Sequence, residues 1–207
     1  VRLFVALEIP STVGDNLAAF IKNMQGDTHE DTQREMKRGR RDLTEQLSEK
    51  RMRWVRPENL HLTLKFIGEV ADARVDGIRG ALSTVHAEAP VDLRFRGLGF
   101  FPNESRPTVL WTGLAASANL PTLAGDIDRT LATQGIAKEK RAFVPHLTLA
   151  RFAHPGMDEK LRAAIQRNVE RDFGSFQARE FHLIESKLNP TRAEYTSLAS
   201  FPFTLEA

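Results

Sequence analysis

Two identical tetrapeptides, His61-Leu62-Thr63-Leu64 and His146-Leu147-Thr148-Leu149, stand 85 residues apart in a chain of 207. Histidine is the side chain whose ordinary pKa, near 6.5, lets it take or give a proton around neutrality. Two of them can therefore share one reaction, a neutral ring acting as base and a protonated ring as acid. A threonine hydroxyl two residues further on can donate to an oxygen on which negative charge builds. That equipment suits the opening of a phosphodiester: water attacks phosphorus while the departing ribose oxygen is protonated. Zinc chemistry normally draws on three or four protein ligands. Each motif here offers one imidazole and no adjacent carboxylate or thiolate, so no metal and no other cofactor is expected.

A lone histidine in a strand is commonly a structural residue, and a repeated tetrapeptide can arise by chance. The context of these two favours function. In a strand, side chains alternate between faces, so His61 and Thr63 share one face, as do His146 and Thr148, while the leucines enter a core. The same alternation puts Lys65 beside His61 and Thr63. It puts Arg151 on the leucine face, unless the strand ends before it or bulges. Each motif follows a proline-containing turn (Arg56-Pro57-Glu58-Asn59 and Phe143-Val144-Pro145) and precedes a helix, which points to duplication of one structural unit.

Around the motifs, apolar spacing predicts strands over Arg2–Ile9, His61–Ile67, Val91–Arg96, Thr108–Thr112, His146–Phe152, Phe176–Leu188 and Glu194–Leu198. Gly97, Gly99 and Pro102 are expected to break the chain after Arg96. Helices are expected from Ser11 through Leu17, Phe20, Ile21 and Met24, over Asp72–Glu88, over Asn119–Gln134 with Gly135 as cap, and over Asp158–Val169.

The stretch 25–53 departs from this pattern. Fifteen of its 29 residues are charged and four are apolar, which reads as a solvated insertion with little core of its own. Its cluster Lys37-Arg38-Gly39-Arg40-Arg41 could hold an RNA backbone or be plain solvated surface. Charge nearly balances over the whole chain, with 29 basic and 27 acidic residues, so any preference for nucleic acid must come from local placement. Absence of cysteine excludes disulfides and thiolate nucleophiles. The short apolar stretch at the N-terminus contains Glu8 and stops at Pro10, unlike a signal peptide. No run is long enough to cross a membrane as a helix. A cytoplasmic monomer that does not engage membranes is the expectation. Phe66, Phe100, Phe101 and Trp111 could stack on a base or belong to the core. His29, His86, His154 and His182 lack matching partners and receive no role.

These motifs resemble the two-histidine phosphoesterase superfamily, and within it the bacterial and archaeal RNA 2′,3′-cyclic phosphodiesterases, also called 2′-5′ RNA ligases. The resemblance runs over most of the chain. It takes in Arg2-Leu3-Phe4-Val5-Ala6-Leu7, Trp54 to Phe66, Pro145 to Arg151, and Phe181-His182-Leu183-Ile184-Glu185-Ser186-Lys187-Leu188. It implies an α+β fold of two pseudo-symmetric lobes, each a mainly antiparallel sheet with outer helices and the active-site cleft between them. It also implies one bilobal domain over 1–207 carrying the charged insertion at 25–53. The implied activity is metal-independent hydrolysis of an RNA-terminal 2′,3′-cyclic phosphate to a 2′-phosphate, with RNA ends or oligonucleotides as partners. By resemblance His61 and His146 are catalytic, with His146 as base and His61 as acid. Thr63, Thr148 and Arg151 bind phosphate by the same resemblance; Lys65, through its strand face alone, could also approach phosphate or be a rim lysine. Alternatives are 2′-5′ joining of RNA ends by the reverse reaction, a phosphoesterase for another cyclic phosphate, and a non-catalytic RNA- or nucleotide-binding module. No nucleotide-binding glycine loop is present, so ATP-driven ligation is not expected. Two features depart from the family pattern: the length of the insertion, and Arg192 where glycine is common.

Overall fold

The computed structural model describes residues 1–36, 52–87, 89–154, 156–157, 159–188 and 193–203. Strand β1 (Arg2–Glu8) is buried along its five central residues, as an unbroken apolar run requires when both faces of a strand are covered. It lies between β3 (His61–Glu69) and β8 (Glu180–Leu188), and β9 (Ala193–Pro202) closes this first sheet in the order β3-β1-β8-β9. The second sheet has the order β2-β6-β5-β4-β7, from β2 (Met52–Trp54), β6 (His146–Phe152), β5 (Val109–Ala116), β4 (Val91–Phe101) and β7 (Asp172–Ala178). All ladders within both sheets are antiparallel.

The chain runs twice through strand, helix, motif strand, helix. The first pass is β1, α1 (Ser11–Met36), β3, α2 (Val75–Leu82), with the short β2 interposed between α1 and β3, and the second is β5, α3 (Asn119–Thr133), β6, α4 (Glu159–Gln166). The two units are interleaved. Strand β4 follows α2 yet pairs with β5, and β8, from the second half, pairs with β1. Helix α1 packs on β7 of the second sheet, and α3 packs on β3 of the first. Val13, Leu17, Phe20, Ile21 and Met24 form the buried stripe of α1, with Phe20 edge-on to Phe173 at 5.3 Å. Leucines of both motifs, Leu62, Leu64, Leu147 and Leu149, enter one shared core.

Several expectations from the sequence need correction. Strand β4 does not stop at Arg96, because Gly97, at φ +79°, occupies a bulge and pairing with β5 resumes at Leu98. The apolar run expected as one strand from Phe176 to Leu188 is two strands belonging to different sheets, β7 and β8. Helix α2 is shorter than its apolar spacing suggests. It ends at Leu82, where the hydroxyls of Ser83 and Thr84 donate to the carbonyls of Gly80 and Ala81. Helix α4 ends at Gln166, and the Asn168 amide donates back to the Ala164 carbonyl. Gly135 caps α3 with φ +72°, as expected.

The stretch 25–53 is tied into the fold at both ends. Helix α1 continues through Met36, and Met52–Trp54 is a sheet strand. The basic cluster at 37–41 lies outside the described residues. No described helix is long and apolar enough to cross a membrane.

Candidate active site

The two motif strands are built alike. Thr63 pairs with Ala6 and Lys65 with Val5, so Leu64 is the extra residue of a bulge. Thr148 pairs with Trp111 and Ala150 with Leu110, so Leu149 is its counterpart. The repeat therefore extends beyond the tetrapeptide to the irregularity that follows it. Each bulge reverses the alternation, which a one-residue insertion must do.

The consequence differs between the strands. In β6 the bulge turns Ala150 into the core and brings Arg151 back to the face of His146 and Thr148, exposed to solvent. In β3 it turns Lys65 into the core face and puts Phe66, 54% exposed, at the position equivalent to Arg151. Strict alternation had placed Lys65 beside His61 and Thr63, and the bulge overturns that placement. Lys65 is 3% exposed. Its ammonium donates to the Ala137 carbonyl at 2.7 Å and pairs with Asp128 at 2.7 Å and Glu139 at 3.1 Å. It links β3 to α3. Burial pushes the Asp128 carboxyl up, but the Lys65 hydrogen bond, the Glu139 N–H and the charges of Lys65 and Lys138 hold it below its ordinary range.

Both imidazoles are held in the same way. His61 Nδ1 lies 2.7 Å from the carbonyl of Asn59, and His146 Nδ1 lies 2.8 Å from that of Val144. A carbonyl only accepts, so each Nδ1 must carry the proton, and each neutral ring has its lone pair on Nε2. Asn59 is itself anchored, its side-chain amide donating to the Ala193 carbonyl at 2.8 Å. Aromatic rings restrict both histidines further. His61 packs against Phe4 at 4.7 Å and edge-on to Tyr195 at 5.2 Å. His146 sits edge-on to Phe101 at 4.8 Å and to Trp111 at 6.5 Å. Phe100 turns to the core side and packs against Phe152.

The motif strands meet where the sheets join. Strand β3 packs against β6. The segment leading into His61 begins on the second sheet, with Trp54 paired to Ala150 and Val55 N–H donating to the Leu149 carbonyl at 2.8 Å. After a short turn at Pro57–Asn59 the chain enters β3 of the first sheet. Arg151, from the second sheet, acts electrostatically on both His61 and Tyr195 of the first. Burial lowers the His61 pKa below its ordinary 6.5 and Arg151 adds to this, against the opposing hydrogen bond to Asn59. Burial raises the Tyr195 hydroxyl above its ordinary value, against the charges of Arg151 and Arg2.

His61, Thr63, His146, Thr148 and Arg151 thus lie on the non-core faces of two adjoining strands. Phe4 and Tyr195 were not singled out from the sequence, because their place beside His61 depends on β1–β3 and β8–β9 pairing. Among the described residues no three His, Asp or Glu side chains converge as metal ligands do.

A family model described as LigT-like phosphoesterase matches the chain twice, over residues 27–111 and 114–195, so that each match contains one motif. The RNA 2′,3′-cyclic phosphodiesterase of Methanocaldococcus jannaschii is 31% identical over 194 residues, covering 94% of this chain and 96% of that one. The protein of the same name from Aquifex aeolicus is 35% identical over 155 residues, covering 72% and 80%. The crystal structure of TT0787 of Thermus thermophilus is similar over 100% of both chains, with a TM-score of 0.71 and 26% identity.

Proposed function

The chain belongs to the LigT-like phosphoesterase family, and from that premise we propose that it hydrolyses a 2′,3′-cyclic phosphate at an RNA end to a 2′-phosphate, using His61 and His146 as a metal-independent acid–base pair. One observation carries the reading. Two imidazoles on adjoining strands, each with Nδ1–H committed to a backbone carbonyl, present the same Nε2 nitrogen for proton transfer. The names of the similar archaeal and bacterial proteins support the substrate class.

In the reaction, a neutral Nε2 takes a proton from water as its oxygen bonds to phosphorus. The bond from phosphorus to the 3′ oxygen breaks, and a protonated Nε2 supplies that oxygen with its proton. The products are a 2′-phosphate and a free 3′ hydroxyl, and the two rings have exchanged protonation states. Thr63 and Thr148 donate to the non-bridging oxygens, and Arg151 offsets their charge. Such donors act most strongly where charge develops, because they are fixed before reaction. Lys65, whose ammonium is already bound, is left out of this scheme.

The test is to incubate the protein, in chelator, with an RNA ending in a 2′,3′-cyclic phosphate and to identify the product isomer. A 2′-phosphate is expected, with turnover falling about 10²–10⁴-fold in His61→Ala and in His146→Ala. A 3′-phosphate product, or turnover that returns only with added divalent metal, refutes the proposal.

A further inference from the structure

Strand β2 is an edge of the second sheet, and its middle residue, Arg53, pairs directly with Arg151 of β6. Directly opposed residues of an antiparallel pair share a face, so Arg53 lies on the same face as His146, Thr148 and Arg151. Its neighbours Met52 and Trp54 turn the other way and pack on the core. Both arginines are exposed. Like charges directly opposite each other in a ladder cost stability. No ion pair to a described residue offsets this one, whereas Arg94, Arg96, Arg129 and Arg162 elsewhere each face a carboxylate. An uncompensated pair of guanidinium groups beside a reaction centre matches a dianionic or repeating phosphate ligand, since each fork can bind phosphate oxygens bidentately.

We infer that Arg53 is a phosphate-binding residue that takes the phosphodiester immediately upstream of the reacting nucleotide, while Arg151 serves the cyclic phosphate itself. The inference rests on the proposed activity at an RNA end. It predicts a preference for oligonucleotides over a cyclic mononucleotide, which has no upstream phosphate. Arg53 falls within a stretch that reads in sequence as solvated insertion, and only its pairing to β6 brings it to the site.

Two readouts test this. The first is binding, which needs no turnover: fluorescence anisotropy of a 5′-labelled trinucleotide ending in a 2′-phosphate, competed with unlabelled 2′-AMP, over a series of salt concentrations. Arg53→Met should weaken the trinucleotide about 5- to 20-fold and reduce the slope of log affinity against log salt by about 1. Affinity for 2′-AMP should shift by less than about twofold. The second readout is the ratio of kcat/KM for a trinucleotide 2′,3′-cyclic phosphate to that for 2′,3′-cyclic AMP, which should fall by the same factor. The melting temperature should be unchanged or slightly higher, because the variant removes a like-charge pair. Equal weakening of both ligands would assign Arg53 to the terminal phosphate and overturn the inference, as would no effect on either. If the wild-type protein binds these ligands as described but hydrolyses neither cyclic substrate, the proposed activity fails while the phosphate site stands.

Discussion

Gly99 offers a sharp test of how the fold aims His146. It lies opposite Trp111, on the face of the second sheet that carries His146 and Thr148. A Cβ built on Gly99 comes within 2.3 Å of two Trp111 ring carbons and 2.8 Å of a third. Ordinary contact begins near 3.4 Å, so Gly99→Ala forces the indole to retreat by roughly 1 Å. Gly99 does not have a positive φ, so the clash is the whole effect and the backbone accepts alanine. The displaced ring presses on Phe101, 5.2 Å away, and on His146. Overpacking of this kind costs about 1–3 kcal/mol, or about 2–12 °C in Tm for a chain of this length. A misplacement of about 1 Å can lower a rate by about 10²-fold. Gly99→Ala should therefore reduce kcat/KM for a cyclic phosphate substrate about 10- to 100-fold in protein that remains folded at assay temperature. The control is the same change in a Trp111→Leu background, where the ring is gone and the added methyl should cost less than about threefold. Full activity in the single variant, or an equal loss in both backgrounds, would refute the idea that Trp111 positions the histidine through this contact.

Four further outcomes are expected. Because burial and Arg151 lower the His61 pKa, neutral His61 should persist below pH 6.5. Its contribution to stability is full above 6.5 and is lost as pH falls towards the lowered value; in Arg151→Met the His61 limb of the kcat/KM profile should move to higher pH, and no movement would remove Arg151 from its surroundings. With His61 as acid, a substrate bearing sulfur at the bridging 3′ position should restore much of the rate lost in His61→Ala but not in His146→Ala, since a thiolate can leave unprotonated; the reverse pattern would exchange the roles. Lys65→Met should lower stability by about 1–3 kcal/mol, read by denaturant unfolding, since it strips partly solvated Asp128 and Glu139 of their cation; loss of turnover with unchanged stability would instead bring Lys65 to the substrate. Replacing residues 37–50 with a Gly-Ser segment of equal length should preserve turnover of a cyclic mononucleotide while weakening longer RNA, and loss of folding would make that segment part of the core.

The local pattern of the sequence determined a good deal. Alternation and a following helix marked both motif strands, and β6 runs over His146–Phe152 as its apolar pattern requires. The stripe of Leu17, Phe20, Ile21 and Met24 marked the buried side of α1. The pairing of each histidine with a threonine was legible because His and Thr at i and i+2 share a face in any regular strand. Its regularity stops at Leu64 and Leu149. A bulge belongs to a pair of strands, set by the register of β1 on β3 and of β5 on β6, and no single strand encodes it. Only tertiary pairing therefore sent Lys65 to the core face, brought Arg151 to the face of His146 and Thr148, and exposed Phe66 in the equivalent place. The same holds for the division of Phe176–Leu188 between two sheets, for Phe4 and Tyr195 against His61, and for Arg53, whose charged surroundings hide its strand. Those assignments depend on which distant backbone offers its N–H and C=O groups, and that becomes definite only when the two halves interleave.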